Sequence, residues 1–254
     1  MGYPKDYIEL NHSQDYPLLR QVLRSEFATH SQLYDFMRLA GCERSRQSFN
    51  WRIRRLVDRG LVLRLPLPSF GRDFVYSIGP SGAERLQGMG EYGLVGRSKR
   101  EYRDHEVNVL HALELNQIHL SLLEKYPQAR WTPSGQVRSQ NELTDFGYAK
   151  DYDAVIALRL DRGELRFALE YERTPKARRY YKDIAGGLCR EKHIGQLLYL
   201  IANYDLLKYV YRFFAGIKHP VYFGLVGDWH RLLLDTPVFG SCSNLSLPLH
   251  KVLR

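Results

Sequence analysis

Three carboxylates in the C-terminal half of the chain are spaced for metal chemistry. Asp153 opens the apolar run Asp153–Leu160 (DAVIALRL), and Glu170 and Glu172 lie at the end of the next run, Leu165–Tyr171 with its flank (LRFALEYE). Both runs have the aromatic and β-branched content of strands, and the turn sequence DRGE separates them. Residues i and i+2 of a strand share a face, so Glu170 and Glu172 point the same way. A neighbouring hydrogen-bonded strand can bring Asp153 alongside, at the edge of one sheet. The result is a hard-oxygen set suited to Mg2+ or Mn2+, with Asp153 and Glu170 as ligands. A cation held there activates water and stabilises charge on a phosphodiester. The same acids can instead pair with Arg166, Arg173 or Lys176 and serve only the fold.

A second constellation is basic and aromatic. Residues 38–64 hold Arg38, Arg44, Arg46, Arg52, Arg54, Arg55, Arg59 and Arg64 against Glu43 and Asp58 alone. Residues 173–192 hold another seven basic groups, among them Lys176, Arg178, Arg179 and Lys182. An Arg-rich helix ordinarily presents a solvated face. Residues 46–58 form a helix whose Phe49, Ile53, Leu56 and Val57 make the apolar stripe. Its opposite face carries Gln47, Ser48, Trp51, Arg54 and Arg55, with Arg52 at the edge. A solvated helix seldom exposes a tryptophan. In a major groove, by contrast, Trp51 can lie against thymine methyls or sugar while Gln and Arg reach base edges. Arg44 and Arg46 at the helix start and Arg72 in a downstream loop complete the expected DNA-facing set. The competing reading is that Trp51 packs on another domain.

These residues need elements to position them. A helix over 15–26 places Leu18, Leu19, Val22 and Leu23 inward, and Thr29 with Gln32 makes a capping box for a second helix. A turn near Gly41 leads to the third helix, which Gly60 stops. Residues 61–65 and 74–78 read as two strands joined by a Pro- and Gly-bearing loop. Residues 88–100 are glycine-rich, then basic, without periodicity. The expected domains are therefore 1–90 and 102–254, joined by a linker over 91–101. The second opens with a helix from Tyr102 to Tyr126. A strand near 129–132 and the two carboxylate-bearing strands follow. Then come a helix over 175–188, a strand over 196–201, a helix over 204–216 and a strand over 221–226. The order αβββαβαβ implies an α/β fold.

Composition bounds the partners. The chain has 254 residues, with 37 Lys+Arg against 28 Asp+Glu and a net charge of +9, an excess that favours an anionic partner. Its longest apolar stretch, GQLLYLIANY, is far short of the ~20 residues that span a bilayer. Cys42, Cys189 and Cys242 never form a CxxC pair, which fits a reducing cytoplasm and not structural zinc. No phosphate-cradling glycine motif is present, Ser241 and Cys242 have no evident base, and His105 lacks a metal-binding partner pattern.

RRLVDRGLVLR followed by FVYSIGPSGAERL resembles the winged helix-turn-helix superfamily, which implies that helix 46–58 enters the major groove and that the hairpin contacts phosphate or the minor groove. The order of the C-terminal elements is similar to the restriction-endonuclease-like fold of the PD-(D/E)xK superfamily. In that comparison Asp153 and Glu170 match the two acids, while Glu172 stands at the lysine position. Lys176 or Lys182 then has to supply the missing cation by folding back over the strand ends. Together, the winged helix, RDHEVN, YDAVIAL and FALEYERT resemble the replication-relaxation family of plasmids and mobile elements. That resemblance implies a double-stranded-DNA-binding protein in replication control or transcriptional regulation with a non-catalytic nuclease-like domain, and the composition places it in the cytoplasm. It would need no cofactor for binding, would form a possible homodimer on paired half-sites and would have no membrane partner. The alternative is a Mg- or Mn-dependent DNA endonuclease, with Asp153, Glu170, Glu172, Lys176 and Lys182 as its catalytic set.

Overall fold

The computed structural model describes residues 9–67, 74–91, 106–160, 163–241 and 245–253. Arg72, His105, Cys242 and nearly all of the expected linker lie outside the described residues. The chain is mixed α/β and divides into two compact units, residues 1–116 and 117–254.

The first unit runs α1 (Asp15–Ser25), β1 (Ala28–Thr29), α2 (His30–Leu39), α3 (Arg46–Asp58), β2 (Val62–Pro66), β3 (Phe74–Ile78) and α4 (Pro80–Gln87). Its strands form an antiparallel sheet in the order β1–β3–β2. Leu18, Leu19 and Val22 of α1 meet Leu33 and Met37 of α2 and Phe49, Ile53 and Leu56 of α3 in one core. Local signals set the boundaries. Thr29 and Gln32 form the reciprocal capping box of α2, and the Ser45 hydroxyl accepts the Ser48 N–H at 3.0 Å to start α3. Gly60 takes φ +68°, a conformation that side chains disfavour, and turns the chain from α3 into β2. A Cβ on Gly79 or Gly82 would lie 2.0 or 2.2 Å from the carbonyl oxygens of Gly60 and Leu61. The start of α4 docks against that segment only because both are glycine.

The division between the units falls within α5 (Glu106–Lys125). Its first half belongs to the first unit: Val109 and Leu113 pack with Leu65, Leu67 and Val75, and the Gln32 amide donates to the Leu113 carbonyl at 2.8 Å. Its second half belongs to the second, where the Trp229 indole donates to the Ile118 carbonyl at 3.2 Å.

The second unit continues with β4 (Arg130–Pro133), α6 (Ser134–Leu143), β5 (Ala154–Leu160), β6 (Gly163–Glu172), α7 (Arg178–Leu188), β7 (Leu197–Ile201), α8 (Tyr204–Tyr211) and β8 (Val221–Leu225). The chain then adds α9 (Val226–Leu232), a 3-10 turn, β9 (Pro237–Gly240), β10 (Ser246–Pro248) and α10 (Leu249–Val252). The seven strands make one mixed sheet in the order β10–β9–β8–β7–β6–β5–β4. β6, β7 and β8 are parallel, with α7 and α8 as their crossovers, and the remaining pairs are antiparallel. On one sheet face Val155, Ala168, Leu197, Tyr199, Val221 and Phe223 pack against Tyr181 and Leu188 of α7 and Val210 of α8.

The expected order αβββαβαβ therefore needs additions. α6 intervenes between β4 and β5, and five elements follow β8 among the described residues. α6 escapes a periodicity reading because Val137 is its one buried residue. β9 and β10 are too short to show alternation. α8 ends at Tyr211, five residues before the expected stop.

Candidate functional site

The carboxylates converge as the strand geometry requires. β5 and β6 are antiparallel with Ala154 opposite Leu169, so Asp153 stands beside Glu170 just past the end of the ladder. The Asp153 Oδ2 accepts the Tyr171 N–H at 2.8 Å, which pins it there. Ala168, Glu170 and Glu172 share the α7-covered face of β6, next to Leu197, Tyr199 and Ile201 of β7. The cluster thus lies at the ends of interior strands, not on a sheet edge as expected. Both glutamates are buried, Glu170 to 2% exposure.

Lysines fill this centre. The Lys150 Nζ lies 2.6 Å from Glu170 Oε1, and the Lys176 Nζ lies 3.2 Å from Glu172 Oε2. The Tyr199 hydroxyl donates to Glu172 Oε2 at 3.5 Å, and the Tyr181 hydroxyl accepts the Lys176 N–H at 2.9 Å. Lys176 sits in the turn before α7, not on the helix. Lys182 is exposed on α7 and makes no ion pair with the three acids. Lys150, three residues before Asp153, carried no signal in the sequence, because only the loop's path into β5 brings it to Glu170.

The electrostatics follow from burial. Desolvation raises the Glu170 carboxyl above its ordinary value; Lys150 opposes it and Asp153 adds to it. Glu172 is raised by the same burial against the pull of Lys176. For Lys176, burial works to lower the ammonium, but Glu172, Glu170 and Asp153 outweigh it and hold it above its usual value. Burial pushes the Tyr181 hydroxyl up to about 12, and burial together with the three acids raises Tyr199 well above the tyrosine range. Two lysines thus face three carboxylates, and the raised glutamates accommodate the residual negative charge by favouring a proton.

As the cluster is paired, Asp153 Oδ2 accepts an N–H and a lysine lies beside each glutamate, and no group of three His, Cys, Asp or Glu residues among the described residues is arranged to hold a metal. Around the cluster the surface is basic: Arg173, Arg178, Arg179 and Lys182 are exposed, and Arg179 lies 5.2 Å over the ring of exposed Tyr180. Tyr181 faces the core instead, stacked on Phe213.

In the first unit, α3 separates its residues sharply. Trp51 is 62% exposed, with Arg44, Arg46, Gln47, Asn50 and Arg54 also exposed and Ser48 half-buried. Among the described residues Arg54 reaches only Asp58, at 3.9 Å. Two of the residues expected on this face are turned elsewhere. Arg52 is buried: its guanidinium donates to Asp15 Oδ1 at 2.9 Å, Glu43 Oε2 at 3.2 Å and Gln14 Oε1 at 2.7 Å. Arg55 is half-buried, paired with Asp15 Oδ2 and stacked 4.9 Å from the Trp51 ring. The acids that draw both inward come from α1 and from the turn before α3. Asn50, absent from the expected set, stands one turn beyond Arg46 and acts to raise the pKa of the His30 imidazole.

No helix among the described residues is long and apolar enough to cross a membrane. No protein-family model matches the chain, and no curated protein or solved structure is significantly similar to it.

Proposed function

We propose that this protein binds double-stranded DNA through α3 and acts as a DNA-binding regulator, in replication control or transcription. The exposed Trp51 carries the reading. It stands amid Arg46, Gln47, Asn50 and Arg54 on the outer face of a helix whose inner face is built wholly into the core. An exposed helix face of that composition fits a major groove, where Gln and Arg read base edges and an indole meets thymine methyls. The order of α1, β1, α2, α3 and the β2–β3 hairpin, with β1 paired to β3, supports a winged helix-turn-helix arrangement. The buried Arg52 network supports it further, because it fixes the helix that has to dock. In this reading the lysine-filled carboxylate cluster is a structural feature of a nuclease-like second unit, and binding needs no cofactor.

The test is fluorescence anisotropy on duplex DNA across a salt series. Arg54→Ala should weaken binding and reduce the slope of log K against log salt, because a cation lost from the interface releases fewer counterions. An unchanged slope and affinity would remove α3 from the interface.

A second reading, a Mg- or Mn-dependent DNA endonuclease, is favoured by one observation: Asp153, Glu170 and Glu172 do meet, with a basic rim around them. It keeps Lys176 as the cation beside Glu172 and requires a divalent cation to displace Lys150 from Glu170. Nicking of supercoiled plasmid with either metal, abolished by Asp153→Ala, would establish it in place of the first.

A further inference from the structure

Three elements of the first unit bring arginines and a histidine to one place, and a fourth adds a tyrosine. His30 begins α2, Arg46 and Asn50 occupy successive turns of α3, Arg64 lies on β2, and Tyr76 on β3 stands directly opposite Arg64. The His30 ring meets Phe49 edge-on with centroids 4.9 Å apart, and the Tyr76 ring is 6.0 Å away. Tyr34 packs on the same Phe49 at 5.6 Å, and the Arg46 guanidinium lies 4.4 Å over the Tyr34 ring. Arg64 lies 3.6 Å over the Phe74 ring, on the same face of the hairpin as Tyr76. Among the described residues neither arginine has a carboxylate partner.

The electrostatics of this grouping favour the neutral imidazole. The charged groups acting on His30 are Arg46 and Arg64, and both oppose a further positive charge. Burial first, then the two arginines, hold the imidazole below its ordinary value; only Asn50 works the other way. Each guanidinium lies over a ring that helps to hold it, and among the described residues its N–H groups have no carboxylate partner. Guanidinium N–H groups around an imidazole that can gain a proton match the oxygens of a phosphate, which accepts such charge-assisted hydrogen bonds and removes the repulsion.

The geometry points to a phosphate-binding site formed by His30, Asn50, Arg46 and Arg64, which takes a backbone phosphodiester of the nucleic acid beside the groove that α3 enters. This assignment rests on the DNA-binding reading above. Arg46, Asn50 and Arg54 follow one another at i, i+4 and i+8, so the site is continuous with the proposed base-facing surface. Seating the phosphate favours the imidazolium, and binding therefore takes up a proton. Affinity rises as pH falls, by about tenfold for each unit by which the phosphate raises the His30 value.

The experiment measures duplex affinity at fixed salt from about pH 5.5 to 8 for the full-length chain, His30→Gln and Arg64→Gln. In parallel, the His30 imidazole resonances are followed by NMR during titration with duplex and with inorganic phosphate. The wild type should bind more tightly as pH falls, and His30→Gln should be nearly flat. Arg64→Gln, at an exposed position that does not threaten the fold, should lower affinity and reduce the salt slope by about 0.9. The site is overturned, with the DNA-binding reading intact, if His30→Gln keeps the wild-type pH profile or Arg64→Gln keeps the wild-type salt slope. Resonances that move with inorganic phosphate and not with duplex overturn the backbone assignment. If wild type binds no duplex at all, the reading of α3 itself has failed.

Discussion

Replacing Arg52 with Ala should unfold the first unit well before it affects any surface. The guanidinium makes three hydrogen bonds in the interior, to Asp15, Glu43 and Gln14. Without it, Asp15 still accepts from Arg55 and from the Asn11 N–H at 2.8 Å, but Glu43 keeps only the Arg44 N–H at 3.2 Å. Glu43 is then a buried carboxylate with little compensation. Breaking a buried pair by removing one partner costs about 3–5 kcal/mol. Because Asp15 retains two donors, the lower end applies, about 3 kcal/mol. For a unit of this size that lowers the melting temperature by on the order of 10–20 °C. Circular dichroism measures the shift, and hydrogen exchange over the α1 and α3 peptides assigns it to this unit. Glu43→Gln in the same chain should recover part of the loss, since it removes the charge left stranded. A variant that melts within about 0.5 kcal/mol of wild type yet binds DNA more weakly would refute this reasoning and return Arg52 to the DNA-facing surface.

Trp51→Ala should leave stability within about 0.5 kcal/mol, because the indole is largely exposed. It should lower discrimination between duplex sites by about 1–3 kcal/mol, read by competition binding; a collapse in melting temperature would place Trp51 in the core instead. Glu170 has its value raised, so the folded chain binds more protons there than the unfolded one, and this contribution to stability falls as pH climbs from the ordinary 4.5 through the raised value. Glu170→Gln should therefore gain on wild type in urea midpoint with rising pH, and a gap that does not change with pH would sink the argument. Glu191 behaves oppositely. Burial pushes its carboxyl up, but donors from the Ala149, His193 and Ile194 N–H groups and the Tyr152 hydroxyl outweigh it and hold it below 4.5. Its stabilisation is present above that value and lost as pH falls through the lowered one. At neutral pH Glu191→Gln should cost about 1–2 kcal/mol, the half-exposed site being partly screened, and the difference should vanish in acid.

The sequence by itself determined whatever depends on local periodicity. The span of α3, the Thr29–Gln32 capping box, the stop at Gly60 and the shared face of Glu170 and Glu172 all follow from residues within a turn or a strand of one another. Side-chain partners across the fold were decided only in three dimensions. A helical wheel places Arg52 at the edge of the outer face but cannot show how its charge is met, because the partners are Asp15 and Glu43, supplied by α1 and by a turn, whereas Arg54 pairs with Asp58 on its own helix. Lys150 entered the carboxylate centre for the same reason: its loop, not its spacing from Asp153, carries it to Glu170. The grouping of His30, Arg46 and Arg64 depends on three elements meeting over Phe49 and Tyr76. Backbone periodicity is a property of neighbours in the chain. Charge pairing is a property of neighbours in space, and in this protein the residues that could do chemistry owe their states to the second kind of neighbour.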